Sequence, residues 1–206
     1  MSGITPSKII CVGKNYARHA AEMGGHIPLE PLIFFKPPSA VISSGEAIVI
    51  PKGVGRVDYE GEIGIIIGTR CRNLHPDAAW EHVEALVPVN DVTARDLQKS
   101  DNQWTRAKGF DSFCPVGTPV PVDGVDVGSL IVTTRVNGRV RQHGVASDMS
   151  YDIPAIIAFI SSIMTLERGD LIATGTPEGI GPLTAGDEVV VEVSGVGSVT
   201  NPVVCA

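Results

Sequence analysis

The segment YEGEIGIIIG, residues 59–68, constrains the fold more than any other part of this chain. Its isoleucines form a nearly continuous apolar run, and β-branched side chains in such a run favour a strand that is buried in a sheet. The 23 glycines and 15 prolines among 206 residues favour many short strands and turns over long helices. A chain of this length can bury one sizeable core, so we expect a single domain over residues 1–206.

Charge and cysteine content argue against several classes of protein. The formal net charge of −7 disfavours a surface for nucleic acid or anionic membranes, so we expect neither as a partner. The longest mainly apolar stretch, residues 153–166, is interrupted by serines and is too short to span a bilayer. The sequence shows no secretory signal pattern and no paired cysteine spacing, so we expect a cytoplasmic protein with reduced thiols at Cys11, Cys71, Cys114 and Cys205.

Local patterns in the first half of the chain predict a strand followed by short helices. The opening predicts a short strand, a turn at Gly13 and a brief helix that ends at the Gly24–Gly25 pair. Helical spacing over residues 75–86 predicts a further helix that begins at Asp77. Residues 87–98 predict a short strand that passes into a helix near Asn90 or Asp91.

The second half of the chain predicts strands, tight turns and one longer helix. The Asn137–Gly138 pair favours a two-residue β-hairpin turn. Ser150 is a capping-type residue in front of a strongly apolar helical pattern, and we expect the helix to begin there. The final segment predicts two strands around a turn at residues 195–197. These patterns together predict a β-rich protein with a few short helices.

Two acidic residues stand next to the buried strand. Glu60 and Glu62 are two positions apart, so on a strand their side chains point to the same face, and Asp58 joins them if the strand begins early enough. Carboxylates this close repel one another unless a positive charge lies between them. Either they form a solvated acidic edge, or they are oxygen ligands for a hard divalent ion.

A third carboxylate, Asp91, lies where a strand is expected to pass into a helix. Arg95 and Gln98 follow at i+4 and i+7, a spacing that puts all three side chains on one helical face. Such a face could present metal-binding and carboxylate-binding groups side by side. An exposed helix with a salt bridge explains the same spacing equally well.

His19 and Glu22 form an i,i+3 pair on the expected helix after Gly13. A carboxylate that holds a histidine orients the imidazole and raises its basicity, and the glycines on either side would let this helix move as a lid. A surface pair is the alternative. Lys108 is predicted to lie in a loop, where a lysine is usually solvated. The loop ATGTPEGIG, residues 173–181, matches neither a Walker loop nor a dinucleotide fingerprint, although Thr176 could present a hydroxyl to an anion.

These pieces belong to an ordered set of six segments, which are CVGKNYARHAAEMG, FFKPPSAV, DYEGEIGIIIG, NDVTARDLQ, AKGFDSFCPVG and LIATGTPEGIGPL. The set resembles the fumarylacetoacetate hydrolase superfamily. More closely it resembles the small FAHD1-like branch, which includes acylpyruvases, oxaloacetate decarboxylases and 2-hydroxyhepta-2,4-diene-1,7-dioate isomerases. The resemblance extends from about residue 8 to residue 194, which is nearly the whole chain.

The resemblance implies a role for each candidate residue by its position in these motifs. It implies Mg²⁺ or Mn²⁺ ligands at Glu60, Glu62 and Asp91. It implies a water-activating dyad on a lid at His19 and Glu22, together with an active-site lysine at Lys108. It implies contacts with the substrate, or a place near it, for Lys36, Arg95, Gln98 and Thr176.

Two positions stand outside this set of roles. Asp58 is not a ligand in the pattern and is expected to support the site. Gly61 replaces a bulkier residue that is often found between the two glutamates, without moving the ligand positions.

The implied fold is α+β and β-rich, a mixed β-sandwich roll of the fumarylacetoacetate hydrolase C-terminal domain type with short helices, in a homodimer. The implied substrate is a small 2-oxo acid, whose carboxylate and 2-oxygen would bind the metal while an enolate forms. We expect hydrolysis of the C–C bond of an acylpyruvate. Three alternatives stay open: decarboxylation of a 2-oxo acid such as oxaloacetate, isomerisation of a 2-hydroxydienoate of aromatic catabolism, and metal-dependent metabolite binding without catalysis.

Overall fold

The computed structural model describes residues 6–206, and most of its regular structure is β-strand. The strands in chain order are β1 Ile9–Gly13, β2 Leu32–Lys36, β3 Val41–Ile42, β4 Ile48–Ile50, β5 Val57–Tyr59, β6 Gly61–Ile67, β7 Val83–Asn90, β8 Thr93–Ala94, β9 Cys114–Pro115, β10 Val120–Pro121, β11 Ile131–Val136, β12 Arg139–Val145, β13 Leu171–Ala173, β14 Gly181–Pro182, β15 Glu188–Val193 and β16 Gly197–Cys205. The α-helices are α1 Ala17–Glu22, α2 Arg95–Ser100, α3 Thr105–Lys108 and α4 Ile153–Ile163. Short 3₁₀ helices cover Pro38–Ala40, Pro76–His82, Val127–Ser129 and Ala146–Asp148. The α+β, β-rich fold predicted from the sequence is confirmed.

The larger sheet has six strands in the order β10-β7-β6-β13-β1-β2. Strand β6 lies inside it between β7 and β13, and every residue of β6 is buried, as its isoleucine run predicts. Ile63, Ile65 and Ile67 face the main core, whereas Ile66 faces a second apolar cluster on the other side of the sheet. Because side chains alternate along a strand, Glu62 shares the face of Ile66, and the candidate site lies at the end of that second cluster.

The second sheet has five strands in the order β12-β11-β15-β16-β4. Its first two strands form the predicted hairpin: Asn137 and Gly138 both have positive φ, at 51° and 75°, as a two-residue turn between right-twisted strands requires. Val132, Val191 and Val199 of this sheet pack into the same core as the inner isoleucines of β6 and the buried face of α4. The main core therefore lies between the two sheets and is covered by α4.

Two helix predictions need correction. The segment predicted as a helix over residues 75–86 forms a 3₁₀ helix, Pro76–His82, and then enters β7, because pairing with β6 outweighs the local helical spacing. Helix α4 begins two residues later than Ser150 suggested. Its cap is Asp152, whose Oδ1 accepts a hydrogen bond of 2.8 Å from the Ala155 backbone amide.

Two further sequence expectations concern membranes and thiols. Within residues 6–206, no helix is both long enough and apolar enough to cross a membrane. Cys11, Cys71 and Cys114 are buried and Cys205 is exposed, and all four are free thiols. Burial raises the pKa of the Cys114 thiol to about 12, so this thiol stays protonated although it lies near the acidic cluster.

Candidate active site

Three carboxylates from different parts of the chain meet at one edge of the larger sheet. Glu60 lies between β5 and β6, Glu62 is the second residue of β6, and Asp91 directly follows β7. The register of β6 and β7 pairs Gly61 with Asn90, and the Asp91 amide donates a hydrogen bond of 2.8 Å to the Glu60 carbonyl. One carboxylate oxygen from each of the three acidic residues lies within 4.8 Å of the others, and all three residues are buried.

Buried cations surround two of these carboxylates. Lys108 Nζ lies 2.9 Å from Glu60 Oε2 and 2.5 Å from Asp91 Oδ2, and it also lies 4.8 Å from the centre of the Phe34 ring. Lys36 Nζ lies 2.6 Å from Asp91 Oδ1 and donates to the Val92 carbonyl. In the described part of the chain, Glu62 makes no salt bridge and instead accepts a hydrogen bond of 2.8 Å from the Gly175 amide. Glu62 is therefore the least neutralised of the three carboxylates.

The charge balance shifts the pKa values of the two glutamates in opposite directions. Burial, together with the charges of Asp91 and Glu60, raises the pKa of Glu62 well above its ordinary value. Burial acts in the same sense on Glu60, but Arg95 and Lys108 outweigh it and hold its pKa below the ordinary value. Burial and like charges make the ionised form of Glu62 unfavourable. An added positive charge therefore stabilises ionised Glu62 more than it stabilises Glu60, which is already paired with cations.

The donor set fits a hard divalent cation. Each member supplies carboxylate oxygen, which is the ligand type that Mg²⁺ and Mn²⁺ prefer, and the set includes neither a thiolate nor an imidazole. Glu60, Glu62 and Asp91 would hold such an ion, with water or substrate oxygen completing its coordination. The prediction that these three residues converge is therefore supported by geometry.

Arg95 and Gln98 lie beside this cluster on α2. Arg95 Nε donates to Asp58 Oδ2 at 2.8 Å, its Nη1 donates to Gln98 Oε1 at 2.8 Å, and its Nη2 contacts Glu60 Oε1. Asp58 is fully buried between Arg95 and Arg56, which is the supporting position expected for it.

The expectation that Asp91, Arg95 and Gln98 lie on one face of a helix is wrong for Asp91. Residues 93–94 form β8, which pairs with β5, so α2 begins only at Arg95. Sheet pairing brings Asp91 to the site, and only Arg95 and Gln98 are placed there by the helix.

Helix α1 carries His19 and Glu22 over the cluster. His19 Nδ1 lies 3.3 Å from Glu22 Oε2, and the His19 side chain is almost completely buried against the site. Glu22 also accepts a hydrogen bond of 3.2 Å from the Gly179 amide, and Arg18 pairs with Glu178 at 3.2 Å. Two contacts therefore join α1 to the glycine-rich loop, residues 173–181, on the other side of the site.

The glycine-rich loop positions the site through its backbone and one hydroxyl. Gly175 has a φ of +101°, and a Cβ there would lie 2.8 Å from Asn15 Cβ, so glycine is needed for its amide to reach Glu62. Thr176 Oγ1 donates to the Gly61 carbonyl at 2.8 Å and accepts from Gln142 Nε2 at 2.7 Å. Thr176 is thus held against the strand that carries the glutamates, and it lines the cavity.

Gln142 is a residue at the site that the sequence did not indicate. It comes from β12 of the second sheet, is buried, and accepts a hydrogen bond of 3.0 Å from the Gly61 amide while donating to Thr176. The Gln142 side chain thereby connects the second sheet to Gly61 of β6, between the two glutamates, and to Thr176 of the glycine-rich loop. No local pattern in RVRQHGV could reveal this, because the contact joins residues 81 positions apart.

The cavity above the carboxylates is lined by both apolar and polar residues. Phe34 and Trp104 form an edge-to-face pair with ring centres 5.2 Å apart, and Val12 and Met23 are the other large apolar lining residues. The polar lining residues are Lys14, His19, Glu60, Glu62, Arg95, Gln98, Lys108 and Thr176. Lys36, which was expected to contact the substrate or lie near it, does not line the cavity. Its Nζ pairs with Asp91 Oδ1 instead.

Gly61 is required by the close approach of the second sheet. A Cβ at this position would lie 2.0 Å from Thr134 Oγ1 and 3.2 Å from Val191 Cγ1. We expect Gly61→Ala to lower the free energy of unfolding by about 1–3 kcal/mol, as overpacking of a core does. Urea unfolding of Gly61→Ala, Thr134→Ala and the double variant measures this effect.

The double variant tests the cause of that loss. The Thr134 hydroxyl has no hydrogen-bond partner among the described residues, so Thr134→Ala loses no hydrogen bond and should cost only what deletion of one buried methyl group costs. If the Thr134 contact is the reason for the loss, the double variant is more stable than the sum of the single effects predicts. Simple additivity would contradict this explanation.

Comparisons with known proteins identify the family of this chain. The model of the fumarylacetoacetate (FAA) hydrolase C-terminal family matches residues 8–204. The mitochondrial oxaloacetate tautomerase FAHD1 of Arabidopsis thaliana is 40% identical over 198 residues, which cover 94% of this chain and 89% of that protein. The crystal structure of 2-hydroxyhepta-2,4-diene-1,7-dioate isomerase from Mycobacterium marinum is similar with a TM-score of 0.90 and 45% identity, over 98% of this chain and 75% of that one.

A further solved structure, fumarylpyruvate hydrolase from Pseudomonas aeruginosa in complex with Mn²⁺ and pyruvate, is similar with a TM-score of 0.92. It is 29% identical, over 98% of this chain and 91% of that one. The relatives with named activities are tautomerases, isomerases and hydrolases, so the prediction of an enzyme is confirmed. The match over residues 8–204 and the identity to these relatives show that the chain belongs to the fumarylacetoacetate hydrolase family, in its FAHD1-like branch.

Proposed function

We propose that this chain, as a single catalytic domain, is a Mg²⁺- or Mn²⁺-dependent tautomerase that moves a proton between C3 and the 2-oxygen of a small 2-oxo acid such as oxaloacetate. One observation carries the proposal: three buried carboxylates and a carboxylate-held histidine line or border the same cavity. The relatives named as tautomerase and isomerase, at 40% and 45% identity, support proton transfer over hydrolysis as the main reaction.

The three carboxylates are the proposed ligands of the ion. A divalent cation held by Glu60, Glu62 and Asp91 would supply positive charge beside the substrate carboxylate and the 2-oxygen. Lys36 has the supporting role of holding Asp91 in place, since its Nζ is 2.6 Å from Asp91 Oδ1 and does not reach the cavity.

Arg95, Gln98 and Thr176 are the proposed partners of the substrate carboxylate. Arg95 and Gln98 already share a hydrogen bond, so the guanidinium and the amide turn toward the same region of the cavity. Lys108 lies against Glu60 and Asp91, where its ammonium group can donate to an oxyanion that develops at the 2-oxygen.

His19 is the proposed general base. Its Nδ1 faces Glu22, which leaves Nε2 free to take the proton from C3 as the C3–H bond breaks and to return a proton to C3 in the reverse direction. As His19 takes the proton from C3, the Lys108 ammonium group gives a proton to the 2-oxygen, and both transfers run backwards in the reverse direction. Proton exchange with water after product release restores neutral His19 and charged Lys108. His19 projects from α1 and is buried, which limits the access of bulk water to its imidazole.

The decisive assay follows the ultraviolet absorbance of enol-oxaloacetate as it converts to the oxo form. We expect the purified protein with Mg²⁺ or Mn²⁺ to accelerate this conversion well beyond the rate with the metal ion alone. Chelation should remove the acceleration, and added metal should restore it. A rate equal to that of free metal would refute the proposal.

Acylpyruvate hydrolysis is the second candidate. The same His19–Glu22 pair could draw a proton from water, which would attack the distal carbonyl while the C–C bond to the pyruvate unit breaks. The similar structure that contains Mn²⁺ and pyruvate is a hydrolase, which supports this candidate. Pyruvate release from acetylpyruvate, measured with the same protein and metal, decides whether hydrolysis occurs.

Replacing Arg95 tests the carboxylate contact. We expect Arg95→Ala to lower kcat/KM for a 2-oxo acid by about 10- to 100-fold, which corresponds to about 1.5–3 kcal/mol for hydrogen bonds to a charged group. Arg106→Ala is the matched control, because Arg106 is exposed and pairs with Asp101 at the surface. Steady-state kinetics of both variants give the answer, and an unchanged kcat/KM in Arg95→Ala would exclude this contact.

A cytoplasmic homodimer is the proposed state of the protein. Strand β2 is an edge of the larger sheet, and it exposes Leu32 and Phe35 to solvent by 37% and 45%, while nearby Leu29 is 99% exposed. Exposed apolar side chains along an unpaired sheet edge are typical of an interface. Sedimentation equilibrium should report twice the chain mass of 21.6 kDa. A mass equal to one chain would contradict the dimer.

A further inference from the structure

Asn15 is a fully buried polar residue in the turn that follows β1. Its Oδ1 accepts a hydrogen bond of 2.9 Å from the Tyr151 amide, and its Nδ2 donates to the Tyr151 carbonyl at 3.0 Å and to the Thr174 carbonyl at 2.9 Å. Its backbone carbonyl accepts a further bond of 2.7 Å from the Ser150 amide. Three of these four bonds hold Asn15 against residues 150–151, and the fourth joins it to the glycine-rich loop.

The peptide group between Thr174 and Gly175, called the linking peptide below, connects Asn15 to the carboxylate cluster. Its carbonyl accepts the bond from Asn15 Nδ2, and its N–H, on Gly175, donates to Glu62 Oε2 at 2.8 Å. The C=O and N–H bonds of a trans peptide group point in opposite directions, and the described residues include no cis peptide bond. A chain of two hydrogen bonds therefore runs from Asn15 through the linking peptide to Glu62.

The local backbone does not by itself fix the orientation of the linking peptide. Gly175 has a φ of +101°, and glycine adopts positive and negative φ with similar ease, so the peptide group in front of it is free to turn. The Thr174 amide and hydroxyl both donate to the Ile63 carbonyl, which anchors Thr174 to β6 without using the linking peptide. The bond from Asn15 is the contact that restrains the carbonyl of the linking peptide.

Glu62 depends on this orientation more than its two neighbours in the cluster do. Glu60 and Asp91 are each held by two cations, whereas the Glu62 side chain accepts one hydrogen bond within residues 6–206, from the Gly175 amide. A turned linking peptide would place a carbonyl oxygen beside Glu62 in place of the amide. Its partial negative charge would push the Glu62 carboxylate away from its present position.

We infer that Asn15 is a positioning residue of the carboxylate cluster: it holds the linking peptide so that the Gly175 amide keeps the Glu62 carboxylate beside Glu60 and Asp91. The inference rests on the proposed function, in which Glu62 is a ligand of the divalent ion. Asn15 does not line the cavity, so it acts only through the linking peptide.

Calorimetric titration of Mn²⁺ into the wild type, Asn15→Ala and Asn201→Ala tests the inference. Asn201 is the matched control, because it is also a buried asparagine whose Nδ2 donates to two backbone carbonyls, but it lies on β16 of the second sheet. We expect Asn15→Ala to bind Mn²⁺ about 10- to 100-fold more weakly, as loss of a group that supports a metal ligand does. Asn201→Ala should keep the wild-type affinity, although urea unfolding should show a loss of stability in both variants.

The NMR signal of the Gly175 amide proton gives a second readout, in the metal-free protein. A short, charge-assisted hydrogen bond to a carboxylate moves this signal to low field. We expect the signal to return to higher field in Asn15→Ala and to stay in place in Asn201→Ala. If Asn15→Ala does not fold, Asn15→Asp keeps the size of the side chain and the oxygen that accepts from Tyr151, and the Gly175 signal then decides, because the added charge itself attracts a cation.

Each other outcome counts against the inference in a distinct way. Wild-type affinity for Mn²⁺ in Asn15→Ala would overturn it and leave the proposed function intact. Equal loss of affinity in Asn15→Ala and Asn201→Ala, or a Gly175 signal that does not move in the Asn15 variants, would also overturn it. A wild type that binds no Mn²⁺ would refute the proposed function instead, and the Gly175 signal would still show whether Asn15 holds the linking peptide.

Discussion

Glu62→Gln should lose high-affinity binding of Mg²⁺ and Mn²⁺ while remaining folded. Glu62 is the carboxylate of the cluster that makes no salt bridge within residues 6–206, so its charge is the one most available to an ion. We expect at least about a 100-fold loss of metal affinity, because changes to groups that only support a ligand already cost 10- to 100-fold. Calorimetric titration of Mn²⁺ measures this loss, and Glu62→Ala should show it as well.

Metal-free Glu62→Gln should be at least as stable as the metal-free wild type. Burial and the charges of Asp91 and Glu60 raise the pKa of Glu62, so its ionised form is unfavourable in the metal-free fold. A neutral glutamine should therefore leave the free energy of unfolding unchanged or raise it, a pattern typical of functional sites. Glu188→Gln, at an exposed position of β15, is the matched control for charge. Metal affinity like that of the wild type in Glu62→Gln would remove Glu62 from the site.

His19→Ala should have the largest effect on catalysis by a residue outside the metal ligands. Removal of a positioned base typically costs about 100-fold or more, and we expect that loss in both enol-oxaloacetate conversion and acylpyruvate hydrolysis. Decarboxylation of oxaloacetate needs a stabilised enolate but no base to remove a proton from C3 or from water, so this reaction should be retained far better. Parallel assays of the variant at saturating Mg²⁺ measure the difference.

Glu22→Gln should change the same reactions in the same direction. Its carboxylate lies 3.3 Å from His19 Nδ1 and orients the imidazole, so a neutral amide weakens the base without removing it. Metal content measured in each variant shows whether the loss is chemical or follows from a damaged metal site. An equal fall in all three reactions would mean that His19 acts in lid closure or substrate binding.

The sequence predicted those parts of the fold that depend on local patterns. The isoleucine run of β6, the Asn137–Gly138 hairpin and the two final strands follow from short-range periodicity and turn chemistry. The convergence of Glu60 and Glu62 follows from the same reasoning, since two positions along a strand bring side chains to one face. Local pattern was therefore sufficient wherever neighbours in sequence are also neighbours in space.

Other features of the site depend on sheet register, which local patterns do not contain. The ion pair between Lys36 and Asp91 joins residues 55 positions apart, and Gln142 reaches Gly61 from the other sheet. Asp91 was expected on a helix, yet pairing of β8 with β5 delays the helix by several residues. These contacts depend on how the sheets pair and not on spacing along the sequence. Lys36 and Lys108 were therefore indicated by the family resemblance over residues 8–194, and their spacing did not reveal them.

Binding of a 2-oxo acid to the metal-loaded and metal-free protein tests the central claim most directly. The claim is that Glu60, Glu62 and Asp91 hold one divalent ion, which the 2-oxo acid then requires in order to bind. Calorimetric titration should give one Mn²⁺ per chain, followed by one pyruvate per chain, with no pyruvate binding after chelation. Pyruvate binding of equal affinity in the chelated protein, or Mn²⁺ binding that survives loss of all three carboxylates, would contradict the claim.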